Sequence, residues 1–238
     1  MPQNIAIAPV GRLDCHVENY QWEFARTQAA EIDAHWERLR ADRPALYNGR
    51  VLLMHKWEIA RGDHAGILRT RHFETDFKNF IAWRDFGFAD ARVRNCFSMA
   101  ALRGSDGAYV LGIMGEHTSN AGMIYFPAGT PDPDDIVDGR LDLAGSALRE
   151  LAEETGLDAG QMQVAADWSI VDAGPRLGCM KLVQADVDAA TLQARIGAFL
   201  ARQKQPELSA VHLVRTRADI VPARMSDFMI AWLEAHLP

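Results

Sequence analysis

The sequence predicts a mixed α/β fold in which a mixed β-sheet carries helices on its faces. Three observations lead there. Short apolar runs alternate with turn pairs such as Asn48-Gly49 and Gly174-Pro175. Three segments of the second half show helical periodicity and are interleaved with those runs. No Pro/Gly/Ser linker, internal repeat or low-complexity tract interrupts the 238 residues.

Taken in order, Ile5 to Val10 reads as a short strand. Tyr20 to Arg40 reads as a helix, with Trp22, Ala25, Ala29, Ile32 and Trp36 near one face and Pro44 closing it. Asn48-Gly49 predicts a hairpin between Leu46-Tyr47 and Val51-Leu53, and a turn at Gly62-Asp63 leads to a strand at Gly66-Ile67-Leu68. Phe73, Phe77, Phe80 and Trp83 fit one face of a helix over Phe73 to Trp83 and read as core. A new pattern begins near Asp90, so residues 1–90 are expected to form an α+β extension and residues 91–238 the main domain. There, Cys96 to Leu102 and Ala108 to Met114 are strands joined by the turn Gly104-Ser105-Asp106-Gly107. Met123 to Phe126 is a further strand, and a polar loop runs on to about Asp142. A helix spans Leu143 to Thr155 with Gly156 as its C-cap. Strands at Gln163 to Val171 and Cys179 to Ala185, a helix at Ala189 to Gln203, a strand at Val211 to Arg215 and a helix from Pro222 to His236 complete the chain.

The formal net charge of -7 argues against general nucleic-acid binding, which needs a basic surface. It leaves room for a phosphorylated substrate, because a divalent metal supplies positive charge locally. Cys15, Cys96 and Cys179 are odd in number and widely spaced, so free core thiols are expected rather than a disulfide framework or a zinc site. The first residues lack the basic start and apolar run of a signal peptide, and no stretch approaches a membrane span. The expectation is a cytoplasmic protein with neither a membrane nor a nucleic-acid partner.

The chemistry is concentrated in Arg149-Glu150-Leu151-Ala152-Glu153-Glu154-Thr155-Gly156-Leu157. On a helix, Glu150, Glu153 and Glu154 share one arc, and Ala144, Ala147, Leu148 and Leu151 occupy the other. Like charges at this spacing destabilise a helix, and a hard divalent cation would offset them. A Glu-rich face is also common on a solvated helix. The preceding Phe126-Pro127-Ala128-Gly129, directly after a strand, favours a built site.

This string resembles the second half of the Nudix signature, G-x5-E-x7-R-E-U-x-E-E-x-G-U, with U aliphatic. Arg149, Glu150, Leu151, Glu153, Glu154, Gly156 and Leu157 match, and Gly129 looks like the leading glycine. Leu141 stands where the signature has its first glutamate, with Asp142 beside it as a substitute, and Asp135 stands where its glycine would fall. In the family that glutamate braces the arginine. The resemblance implies a Nudix-type α/β/α sandwich over residues 91–238 and hydrolysis of nucleoside diphosphates linked to another moiety. It also implies Mg2+, or Mn2+, as cofactor. Glu150, Glu153, Glu154 and Gly129 are expected at the metal, and Glu150, Glu153 and Glu207 are the candidate catalytic carboxylates. Glu207, in Pro206-Glu207-Leu208-Ser209-Ala210-Val211, resembles an acid that many members carry before a late strand.

His117 and Asn120, from the polar loop Gly115 to Gly122, and Arg149 are expected toward substrate. Asp132, Asp134 and Asp135 read as a solvated turn. Looser similarity of the N-terminal part, including Tyr47 and Trp83, to a Nudix subgroup with an extension points to UDP-sugars as substrate. Coenzyme A or dinucleotide diphosphatase is the alternative, and a non-catalytic nucleotide sensor is the alternative of another class. The expected partner is a small nucleoside diphosphate derivative, with a homodimer through the N-terminal part also considered.

Overall fold

The computed structural model describes residues 5–44, 46–60, 66–118 and 120–238. Its first elements are β1 (Ala6–Val17), α1 (Glu23–Thr27), α2 (Ala29–Asp42), β2 (Arg50–Ala60), β3 (Gly66–Asp76) and α3 (Phe77–Asp85). Next come β4 (Asn95–Arg103), β5 (Tyr109–Met114), β6 (Ile124–Tyr125), β7 (Ala128–Gly129), β8 (Ile136–Val137), β9 (Arg140–Leu141) and α4 (Leu143–Thr155). The chain ends with β10 (Gln163–Val164), β11 (Trp168–Ala173), β12 (Arg176–Gln184), α5 (Ala189–Leu200), β13 (Leu208–Val214) and α6 (Asp227–His236).

The strands form one mixed sheet in the order β13-β5-β4-β12-β11-β1-β3-β2, with β12/β4 and β1/β3 parallel. The sheet passes from the C-terminal to the N-terminal strands through the antiparallel pair β1/β11, Ala6 opposite Asp172. Alternation along β4 explains the layering. Phe97, Met99 and Ala101 meet Phe228, Met229 and Trp232 of α6 on one face. Ala100 and Leu102 meet Leu151 of α4 and Leu192 and Ile196 of α5 on the other. The result is the expected helix–sheet–helix arrangement. A separate aromatic core, including Trp22, Phe73, Phe80 and Trp83, fills the space between β2/β3 and helices α1 to α3. The three cysteines are buried and free.

Several local expectations are corrected. The helix over Tyr20 to Arg40 is two helices, broken at Gln28, whose φ/ψ of -109/22 lies outside the helical well. Leu46-Tyr47 forms no strand. Asn48-Gly49 instead seats the start of α3, with Asn48 Oδ1 accepting from Lys78 N at 2.9 Å and the Gly49 carbonyl accepting from Phe77 N at 2.9 Å. The partner of β2 is β3, and the Gly62-Asp63 turn lies outside the described residues. Phe73 belongs to β3 rather than to a helix, although it is core as expected. The 163–171 strand is two strands, β10 and β11, and the last helix begins at Asp227 rather than Pro222. No helix among the described residues is long and apolar enough to cross a membrane.

Candidate active site

Helix α4 has the expected bounds because both ends are capped. Asp142 accepts from Ala144 N at 3.1 Å and Gly145 N at 2.9 Å, and Gly156 adopts the left-handed conformation, φ 70°, that ends the helix. Leu151 anchors the helix to the sheet. That packing turns Glu150 and Glu154 toward β7, which pairs with β4 at Ser98↔Gly129 and Met99↔Ala128. Gly129 lies so close to the Glu150 carboxylate that a Cβ there would overlap it.

Glu150, Glu153 and Glu154 border a cavity of about 360 Å³ together with Gln203, Lys204, Gln205 and Glu207. Every lining residue is polar or charged. Glu154 is buried, at 8% exposure. Burial pushes its carboxyl up to about 9, and the negative charges of Glu150 and Glu207 add to the shift. Burial likewise pushes Glu150 up to about 7, against the attraction of Arg149 and with repulsion from Glu153, Glu207 and Asp135. Glu153 is 60% exposed and turns toward Arg149 at 3.4 Å. Among the described residues no three His, Cys, Asp or Glu side chains are already gathered to hold an ion. The three glutamates, expected at the metal, therefore line an open wall of the cavity rather than a closed cage.

This donor set fits a hard cation. Its oxygens are carboxylate, they are crowded and partly desolvated, and positive charge would relieve both burdens. An open wall also suits magnesium, which keeps waters and takes substrate phosphate oxygens as ligands.

Arg149, expected toward substrate, braces the neighbouring carboxylates. Its Nη2 donates to Asp135 Oδ1 at 2.7 Å, and its Nη1 lies 3.4 Å from both Glu150 and Glu153. Asp135 is the residue that the sequence reading misplaced. It is buried at 5% exposure, not part of a solvated turn, and its Oδ2 also accepts from Ser146 Oγ at 3.1 Å and Asp132 N at 3.1 Å. Asp135 thus supplies the arginine contact, while Asp142 caps the helix and Leu141 is core.

Glu207 enters the site because Gly112, opposite Leu208 in space, has no side chain to hold β13 away, and because Gly115 N donates to the Glu207 carbonyl at 2.7 Å. The turn carrying His117 packs by that contact on the Glu207 backbone, but neither His117 nor Asn120 lines the carboxylate cavity. Gln203, Lys204 and Gln205 do line it. They trail α5 and carried no sequence signal, because only tertiary packing brings the end of α5 to α4.

No family model matches the sequence, and no curated protein matches it. Among solved structures, the chain is similar to a Nudix hydrolase from M. Smegmatis, RenU, at 14% identity over 59% of this chain and 81% of that one, with a TM-score of 0.37. It is also similar to the MutT protein from Methanosarcina mazei Go1, at 18% identity over 60% of this chain and 92% of that one, with a TM-score of 0.37. The placement of Glu150, Glu153, Glu154 and Glu207 around one cavity stands on the geometry of this molecule.

Proposed function

We propose that the protein is a divalent-metal-dependent hydrolase that cleaves the diphosphate linkage of a nucleoside diphosphate joined to another moiety, with a UDP-sugar as the favoured substrate class. One observation carries the reading: three helical glutamates and Glu207 share a wholly polar cavity in which the carboxyls of Glu150 and Glu154 are desolvated beyond what the neighbouring Arg149 and the Ala128 backbone offset. Glu150 and Glu154, with Glu153 beside them, would hold Mg2+ or Mn2+ next to the Gly129 backbone. Such an ion, when bound, neutralises phosphate oxygens and makes a water acidic.

The chain's own groups divide the remaining work. Arg149 and Asp135 fix the azimuth of Glu150. Glu207, brought to the cavity from outside the helix, accepts the proton of the water that attacks phosphorus. The anhydride P–O bond breaks, releasing a nucleoside monophosphate and a sugar phosphate. Lys204 offers positive charge to the phosphates at the rim. The amides of Gln203 and Gln205 suit the hydroxyls of a sugar better than the face of a base, because the cavity lining holds no aromatic ring.

The test is incubation with magnesium and a panel of UDP-sugars, dinucleotides, coenzyme A and nucleoside triphosphates, reading released nucleoside monophosphate. Turnover of UDP-sugars that vanishes in Glu154→Gln is expected, and heavy-oxygen water then identifies the phosphorus attacked. Full activity in Glu154→Gln would remove the metal from this helix. Turnover confined to coenzyme A or dinucleotides would change the substrate class, and tight binding with no turnover would identify a sensor.

A further inference from the structure

Strand β2 forms one edge of the sheet, and its two halves are finished differently. Up to Met54 the outer side is covered. Leu52 N donates to the Pro131 carbonyl at 2.7 Å, and Met54 exchanges hydrogen bonds with Arg94 at 2.9 and 2.8 Å. An irregularity follows between Met54 and Lys56. Beyond it, among the described residues, no backbone group pairs with the outer side of residues 55–60. The inner side stays paired with β3, Lys56 opposite Arg71, Trp57 opposite Thr70, Glu58 opposite Arg69 and Ile59 opposite Leu68. Trp57 and Ile59, 36% and 39% exposed, therefore share one face, and Lys56 and Glu58 share the other. The guanidinium of Arg94 lies 4.8 Å from the Trp57 ring centroid and holds the indole at the edge. An open edge with large apolar side chains is a template for another strand.

We propose that a second copy of this chain docks there, β2 against β2, antiparallel about a two-fold axis through Trp57. The charge pattern selects this register. A two-fold pairing places residues that share a face opposite each other. With the axis at Trp57, Lys56 faces Glu58 of the second copy twice over, and the two indoles meet on the apolar side. With the axis at Lys56 or at Glu58, like charges face each other, which is unfavourable. The pairing then runs over residues 55–59 of each copy and stops where Arg94 begins to cover the edge. An unrelated strand would have no reason to match this self-complementary order.

Sedimentation velocity over a concentration series of the full chain tests the proposal. The wild type is expected to show a concentration-dependent monomer–dimer equilibrium. Lys56→Glu or Glu58→Lys alone should raise the dimer Kd by about tenfold or more, because each places like charges opposite each other at two symmetric positions. The double exchange K56E/E58K should restore the wild-type Kd to within about threefold. The exposed contacts of Lys56 with Glu18 and Glu58 with Arg69 are lost equally in monomer and dimer, so they leave this comparison untouched. Circular dichroism confirms that each variant is folded. A wild type that stays monomeric throughout, a dimer indifferent to either single exchange, or a double exchange that fails to restore it would each overturn the proposal.

Discussion

Asp135 and Asp142, at the entrance to helix α4, are saturated with hydrogen-bond donors, whereas Glu150 and Glu154, farther along the same helix, are not. Asp135 receives Arg149, Ser146 and a backbone N–H, and Asp142 receives two N–H groups of the first turn. Glu150 and Glu154 are pushed toward their protonated forms by burial first and by neighbouring carboxylates, Glu207 among them in both cases. The same chemical group thus serves two ends. Where donors surround it, a carboxylate holds the fold. Where burial outruns the supply of donors, it stands ready for a cation. Removing the first kind should cost stability, and removing the second kind should cost activity.

The largest effect should come from Glu154→Gln. It is expected to lower kcat/KM by at least about a hundredfold. The metal-free melting temperature should not fall, since a neutral amide replaces a poorly solvated acid. Magnesium should raise the melting temperature of the wild type and not that of the variant. A variant that melts well below the metal-free wild type would erase the distinction between the two kinds of carboxylate. Next, Asp135→Ala leaves Arg149 without its shortest partner, and denaturant unfolding should show a loss of about 2 kcal/mol. The partial exposure of Arg149 keeps this below the cost of a fully buried pair. Gly129→Ala drives a methyl into the Glu150 carboxylate and should cost about tenfold in kcat/KM. Its stability cost should stay under about 1 kcal/mol, and the two measurements together sharpen the division. The smallest effect is Asp142→Ala, which removes an N-cap and should cost about 1 kcal/mol with kcat/KM nearly unchanged.

Helix α4 was legible in the sequence because its determinants are local. The cap at Asp142, the left-handed Gly156 and the apolar arc through Leu151 lie within one segment, and helical periodicity alone puts the glutamates on the opposite arc. The layered α/β architecture was legible for a similar reason, since the near-continuous apolar run from Cys96 to Leu102 anticipates a strand covered on both faces. The brace was not legible. Asp135 reaches Arg149 only because the intervening loop folds through a short 3-10 turn and the β8/β9 hairpin, and Asp-Pro spacing reads equally well as a solvated turn. Asn48-Gly49 misled for the converse reason. Its turn chemistry is real, but tertiary contacts place it at the start of α3 instead of between two strands. Phe73, Phe77 and Phe80 satisfy a helical spacing even though the first of them sits in a strand, because β3 runs straight into α3. The wall formed by Gln203, Lys204 and Gln205 depends on where α5 ends in space, which no local pattern encodes.

Strand β1 lies between β3, which pairs through Gly66 to His72, and β11, which pairs through Trp168 to Asp172. During synthesis it emerges long before β11 exists, so the middle of the sheet closes only after Asp172 has been made. Until then an open strand edge waits without its mate, and expression yield at high temperature should be governed by that interval more than by the stability of the finished protein.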